Sequence, residues 1–179
     1  MRYASGERLR IMYLVHCFYP ESFTGTEKFV LQMAQAMQRR GHRVTVVTYS
    51  PSVPDDSPNA IGDVVFTEYV YEGIPVLAYR HRLLDQESQF RIGDASLAAL
   101  ADYVLEREQP SVLHIGHPMR ALEFAQAAQG RGIPYVITLT DFWTICPKSL
   151  LLRENRELCA GPEGGAACLA YCGIANVEE

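Results

Sequence analysis

Between Arg10 and Thr48 the chain runs strand, loop, helix, glycine, strand, and this order limits its folds more than any other feature. Arg10 to Phe18 (RIMYLVHCF) reads as a buried strand, with Ile11, Tyr13, Leu14 and Val15 giving it β-favouring bulk. Pro20 to Thr26 reads as a loop. Thr26 to Arg40 reads as a helix, because Val30, Met33, Ala34 and Met37 recur at helical spacing and mark one apolar face. Gly41 stops it, and Arg39 and Arg40 lie in the last turn, where cations suit the helix dipole. Val44 to Thr48 is apolar throughout its core, so it has no face to offer water. Such a strand belongs in a parallel sheet covered on both sides.

The alternation continues downstream. Ser50 to Gly62 is a loop rich in Pro, Asp and Ser. Val64 to Tyr71 and Ile74 to Tyr79 read as two strands around a Glu72-Gly73 turn, and His81 to Ile92 as an irregular polar stretch. Asp94 is placed to cap a helix from Ala95 to Arg107, whose Leu97, Leu100, Ala101, Val104 and Leu105 form the inner face. Ser111 to His114 reads as a strand, Pro118 to Ala128 as a helix, and Pro134 to Thr140 as the last clear strand. The class is α/β: a mostly parallel sheet with helices on both faces, followed by an irregular Cys-rich segment. Right-handed crossovers bring the loops after the strands to one sheet edge, so those beginning at His16, Gly116 and Thr140 are expected to converge on one crevice.

At 179 residues there is material for one domain and a sizeable core. The net charge of −5 argues against nucleic acid as a partner. The one basic cluster, Arg80-His81-Arg82, reads as a solvated loop. The first apolar run, Ile11 to Val15, is too short for a signal core or a spanning helix. The expected location is therefore the cytoplasm, and nothing in the sequence indicates association with a membrane.

Five short motifs carry chemistry. Thr24-Gly25-Thr26-Glu27 opens the first helix, and Gly25 leaves its outward N–H groups open to a phosphate. The same residues spell a Thr24-x-x-Glu27 capping box, which needs no ligand. His16 and Cys17 end the first strand, the one a structural or ligand-facing imidazole, the other a small buried hydrophobe. His114-Ile115-Gly116-His117 resembles the ATP-binding signature of class I aminoacyl-tRNA synthetases, without that family's placement after the first strand or its later Lys-Met-Ser-Lys-Ser partner. His114 is expected in the core and His117 facing the crevice. Asp141, after the last strand, is set either to orient a sugar hydroxyl or to cap its own turn, with Phe142 and Trp143 beside it. Cys146, Cys159, Cys168 and Cys172 are separated by 12, 8 and 3 residues. Four thiolates suit tetrahedral zinc, and iron–sulfur ligation, disulfides and free thiols stay open beside it.

At these residues the chain resembles the N-terminal half of a GT-B glycosyltransferase of the large retaining family 4 (group 1). The matching pieces are Pro20 through Thr24-Gly25-Thr26-Glu27, the Arg40-Gly41-His42 turn with its Val44 to Thr48 strand, Val112-Leu113-His114, and Gly132 to Thr138. The most specific piece is Thr140 to Pro147, followed by Cys159-Ala160-Gly161-Pro162, a Cys-rich element of one branch of that family. The resemblance implies a Rossmann-like acceptor-side domain over residues 1–145, with 146–179 as the incomplete end of the same domain. It also implies transfer of a sugar from a nucleotide-sugar to a sugar, glycan or lipid acceptor, with retained configuration and no metal needed for catalysis.

By the same resemblance, Thr24, Gly25, Thr26, Thr140 and Asp141 would contact the donor phosphate or sugar. His16, Tyr19, Glu27 and His117 would line the acceptor cleft. Many relatives carry His where this chain has Thr140, and Thr140 cannot serve as acid or base, so no catalytic residue is assigned. The nucleotide pocket would lie on a C-terminal domain that this sequence does not hold, so the expectation is a half-enzyme inactive by itself. Acceptor choice would fall to the loops Ser50 to Gly62 and His81 to Gly93. The alternatives are a non-catalytic, metal-stabilised interaction module and an ATP-using ligase built on His114 and His117.

Overall fold

The computed structural model describes residues 7–82, 93–146 and 148–172. The chain divides into two compact units, residues 1–138 and 139–179. The first holds a seven-stranded sheet in the order β3-β4-β5-β2-β1-β6-β7. β1 (Arg10–Val15) pairs in parallel with β2 (Arg43–Tyr49) on one side and with β6 (Val112–Ile115) on the other. β5 (Ile74–His81) adds in parallel to β2, and β7 (Tyr135–Ile137) adds in parallel to β6. β4 (Val64–Tyr71) is antiparallel to β5, and β3 (Asn59–Ile61) is antiparallel to β4. The expected α/β class with a mostly parallel sheet is the observed one.

The two faces are built by different helices. α1 (Gly25–Arg39) buries Val30, Leu31 and Ala34 against Ile11, Tyr13, Val15, Val44, Val46 and Val76. α2 (Ala95–Glu108) and α3 (Leu122–Gly130) cover the opposite face, where Leu100, Val104, Leu105 and Phe124 meet Met12, Leu14, Val47, Leu77 and Leu113. Alternate residues of β1 thus enter opposite cores, as the two-residue period of a strand requires. Asp94 caps α2 as expected, its Oδ1 accepting the Leu97 N–H at 2.9 Å.

Four local expectations are corrected. The Ser50 to Gly62 loop contains β3, a strand too short to show a period. The helix expected from Pro118 starts only at Leu122, because Arg120 takes a left-handed backbone (φ +57°) that breaks the helical run. The last strand shortens to Tyr135–Ile137. Arg80 and His81 are not solvated. β5 extends through His81, and both side chains are buried, Arg80 binding the Val53 and His81 carbonyls and Asp55, His81 facing Asp94 at 2.8 Å. A basic run seen in sequence cannot reveal that partners from distant loops will surround it. The stretch 83–92, expected to be irregular, lies outside the described residues.

Gly116, directly after β6, lies tight against α1. A Cβ built there would stand 2.4 Å from Val30 Cγ2. Val30 is β-branched and stiff, so it cannot swing aside cheaply. Gly116→Ala is expected to lose about 1–3 kcal/mol by overpacking. Urea unfolding should show that loss, and Val30→Ala in the same chain should restore part of it.

Candidate functional site

The chain crosses from one side of the sheet to the other around β1, so the ends of β1 and β6 flank the point where strand order reverses. Open α/β sheets place their ligand crevice there. His16 follows β1 and His117 follows β6, and their rings lie 4.2 Å apart, centroid to centroid. The expected convergence of these two loops is observed within the first unit. His117 is buried, and its Nδ1 accepts the Met119 N–H at 3.1 Å. His16 stays partly open, with Nε2 3.7 Å from Glu27 Oε1.

Glu27 binds this corner together. Its side chain is only 1% exposed, although it sits in the first turn of α1. A buried carboxylate needs donors, and Thr24 supplies one: its hydroxyl donates to Glu27 Oε2 at 2.6 Å. Thr24 therefore makes no side-chain cap to the helix, and the capping box suggested by the sequence does not form. Gly25 is exposed, and a Cβ built on it meets nothing within 4 Å. The start of α1 is thus open on the outside and anchored on the inside. Such a helix start presents N–H groups and partial positive charge to an anion.

The remaining cleft candidate, Tyr19, is half-buried. Its ring stacks on Tyr71 with centroids 4.9 Å apart, and its carbonyl accepts the Tyr69 hydroxyl at 2.5 Å. Cys17 follows His16 at the same edge. Burial pushes its thiol above the usual range, and Glu27 adds to the shift, so it stays protonated near neutral pH and is a poor nucleophile.

Two groups here escape a reading of the sequence. The Ser50 hydroxyl, at the end of β2, donates to Glu21 at 2.8 Å. Arg120, in the loop after β6, lays its guanidinium over the Tyr49 ring, with Cζ 3.8 Å from the centroid. Its carbonyl accepts the Tyr79 hydroxyl at 2.5 Å. No motif marks Arg120. Its place depends on the loop turning back across the sheet edge, which shows only in three dimensions.

Thr140 and Asp141 belong to the second unit, residues 139–179. Asp141 Oδ1 accepts the Trp143 N–H at 2.8 Å, so this carboxylate caps its own turn. Leu152 and Leu158 form an isolated antiparallel bridge, and α4 (Ala166–Cys172) carries Cys168 and Cys172 one turn apart. Hydrogen bonds from backbone groups of residues 148–151 hold the Cys146 thiol below its usual range against burial, which acts to raise it. Burial and then the charges of Cys172, Cys146 and Cys159 push Cys168 up. Among the described residues, no group of three or more His, Cys, Asp or Glu side chains is placed to hold a metal ion.

A family model described as the glycosyl transferase 4-like domain matches residues 24–165. The chain belongs to that family. No curated protein matches it significantly. The match takes in α1, the crossover to β6 and the start of the cysteine unit, while β1 lies before it. Within this glycosyl transferase 4-like domain no described helix is long and apolar enough to cross a membrane. The His114-to-His117 tetrapeptide is split by the sheet: His117 is at the crevice, whereas His114 is a strand residue. Its Nε2 is 2.8 Å from Thr138 Oγ1, and its ring lies 5.2 Å from that of Tyr13.

Burial pulls the His114 pKa below its ordinary value, so the fold favours the neutral ring. The unfolded chain takes up this proton near pH 6.5, and the folded chain does so only at lower pH. Stability from this residue is therefore full above about pH 6.5 and declines as pH falls below it. Urea midpoints at pH 7.5 and 5.5 should show a smaller drop in His114→Gln than in the parent chain.

Proposed function

We propose that this domain is the acceptor-side half of a retaining glycosyltransferase, moving a sugar from a nucleotide-sugar to an acceptor seated over the ends of β1 and β6. The observation that carries the reading is the start of α1. In a member of this family, a helix opens with an unobstructed Gly25 while Thr24 and Glu27 are tied inward beside His16. In this reading the donor diphosphate lies against that helix start, whose dipole stabilises charge building on the leaving group. Thr24, Gly25 and Thr26 contact the phosphates, and Thr140 and Asp141 are assigned to the donor sugar. His16, Tyr19, Glu27 and His117 shape the acceptor side, with Glu27 fixing the His16 ring. A second α/β domain is proposed to supply the nucleotide pocket.

Gly25 tests this reading, because its missing side chain faces open space. Gly25→Val should leave the urea midpoint of the 179-residue chain nearly unchanged. In a longer polypeptide carrying the proposed second domain, the same change should lower sugar transfer, measured as kcat/KM for the donor, by at least about tenfold, or about 1.4 kcal/mol. Equal losses of stability and transfer would make Gly25 a turn residue only.

The cysteines carry a separate proposal, a structural zinc held by Cys146, Cys159, Cys168 and Cys172. Its support is the donor set and the charges of Cys172, Cys146 and Cys159 felt at Cys168. Binding would have to draw them closer than they stand. Elemental analysis of protein purified without chelator should find about one zinc per four thiols. Finding iron with sulfide, or no metal in freshly reduced protein, would refute it.

A further inference from the structure

Arg120 stands apart from the other charged groups around the crevice. Its Nε is buried and has no hydrogen-bond partner among the described residues. Arg80, buried in β5, is matched by Asp55 and backbone carbonyls. Arg153, in the second unit, shares an unpartnered Nε but has Glu157 within 3.9 Å of its Nη1. Carboxylates are not scarce nearby, but each is engaged elsewhere. Glu27 takes the Thr24 hydroxyl and faces His16, and Glu21 takes the Ser50 hydroxyl. Glu123 accepts the Gly93 and Asp94 N–H groups, and Asp94 caps α2 and faces His81.

The position of Arg120 is also enforced. A non-glycine residue at φ +57° is held against its own preference, and the Tyr79 hydroxyl pins its carbonyl. The Tyr49 ring covers the guanidinium, and such stacking alone stabilises a cation modestly. It needs neither the left-handed backbone nor a buried, unanswered N–H. Arg120 touches Tyr49 of β2 with its guanidinium and Tyr79 of β5 with its carbonyl, while its own loop follows β6. The cation therefore overlooks the strand ends on both sides of the reversal point. A half-buried guanidinium whose Nε–H has no acceptor among the described residues is complementary to an oxyanion, which it can grip through two parallel hydrogen bonds.

We propose that Arg120 is the anion-recognition residue of this crevice, so that the acceptor is a molecule bearing a phosphate or carboxylate group. The proposal rests on the reading of the crevice as an acceptor site. The nearby carboxylates then help selectivity, since they surround the cation with negative charge.

The test uses the 179-residue chain, labelled with nitrogen-15. Arginine Nε–H signals and the amides of Cys17 and Ser50 are followed during titration with glycerol phosphate, glucuronate, uridine diphosphate and neutral glycerol. The Arg120 signal is identified by its loss in Arg120→Lys. The expected result is a saturable shift at all three positions with glycerol phosphate or glucuronate and none with glycerol. Whichever anion binds more tightly names the acceptor's group. Arg120→Gln should weaken that binding at least about tenfold, as loss of a charge-assisted pair does. Arg120→Lys, which keeps the charge, should recover part of it and serves as the variant if Arg120→Gln does not fold.

No saturable shift with either small anion, or an unchanged shift in a folded Arg120→Gln, would overturn the proposal. Binding of uridine diphosphate alone at Arg120 would also overturn it, assigning the anion to the donor. Sugar transfer by the longer polypeptide is a separate readout. Its absence would remove the transferase reading while anion binding at Arg120 stood, and the converse result would remove only the assignment of Arg120.

Discussion

The parallel pairing of β1 with β6 is the constraint on which the crevice depends. β1 lies between β2 and β6, so its end is the point where the chain has gone one way and must return the other. The loops after β1 and β6 meet there, with the His16 and His117 rings 4.2 Å apart. The pairing in turn requires β6 to run close beneath α1, and Gly116 meets this by having no side chain where Val30 already stands. The contact that lets the strand join the sheet thus also brings the start of α1 near the strand ends. Packing and the approach to the site meet at one small residue.

Electrostatics then divide the corner into an inward and an outward part. Burying Glu27 turns Thr24 inward and gives His16 a fixed neighbour, which leaves the helix start at Gly25 open. A capped helix would have spent its first N–H groups on its own side chain. The same economy operates on the other side of β1, where Glu21 is occupied by Ser50 and Arg120 rests on Tyr49. In a chain with 21 acidic and 16 basic residues, an arginine whose Nε–H has no acceptor among the described residues is not a consequence of composition.

Much of this architecture was legible in the sequence because it rests on short-range rules. Apolar runs marked β1 and β2, helical spacing marked α1 and α2, and Asp94 announced its own cap. The hairpin of β4 and β5 followed from two runs around Glu72-Gly73. Most failures came where a distant partner decided the outcome. Thr24 reads as a cap until a buried carboxylate competes for its hydroxyl. Arg80 and His81 read as solvated until Asp55, Asp94 and the Val53 carbonyl close around them. The late start of α3 follows from Arg120, whose backbone is held in place by Tyr79 from another strand. For the candidate site, His16, Glu27 and His117 could be named from strand and helix ends, whereas Arg120 could not.

The cysteine-bearing unit poses a different physical problem. Of its described residues only Ala167 is a buried hydrophobe, while Leu150, Leu158, Leu169 and Tyr171 remain exposed. A few tens of residues without a core do not recover the conformational entropy of ordering their backbone. What orders the unit locally is polar and sparse: the Leu152–Leu158 bridge, the Cys159 N–H on the Leu151 carbonyl, and Arg153 over the Tyr171 ring at 4.0 Å. The Cys146 loop turns backbone N–H groups toward a sulfur, an arrangement that lowers the cost of holding a thiolate. A cross-link at these cysteines would supply the order that packing does not, by restricting the unfolded chain or by metal binding coupled to folding. In either case the proposed role of the cysteines would be to fasten the unit that carries the Thr140–Asp141 turn.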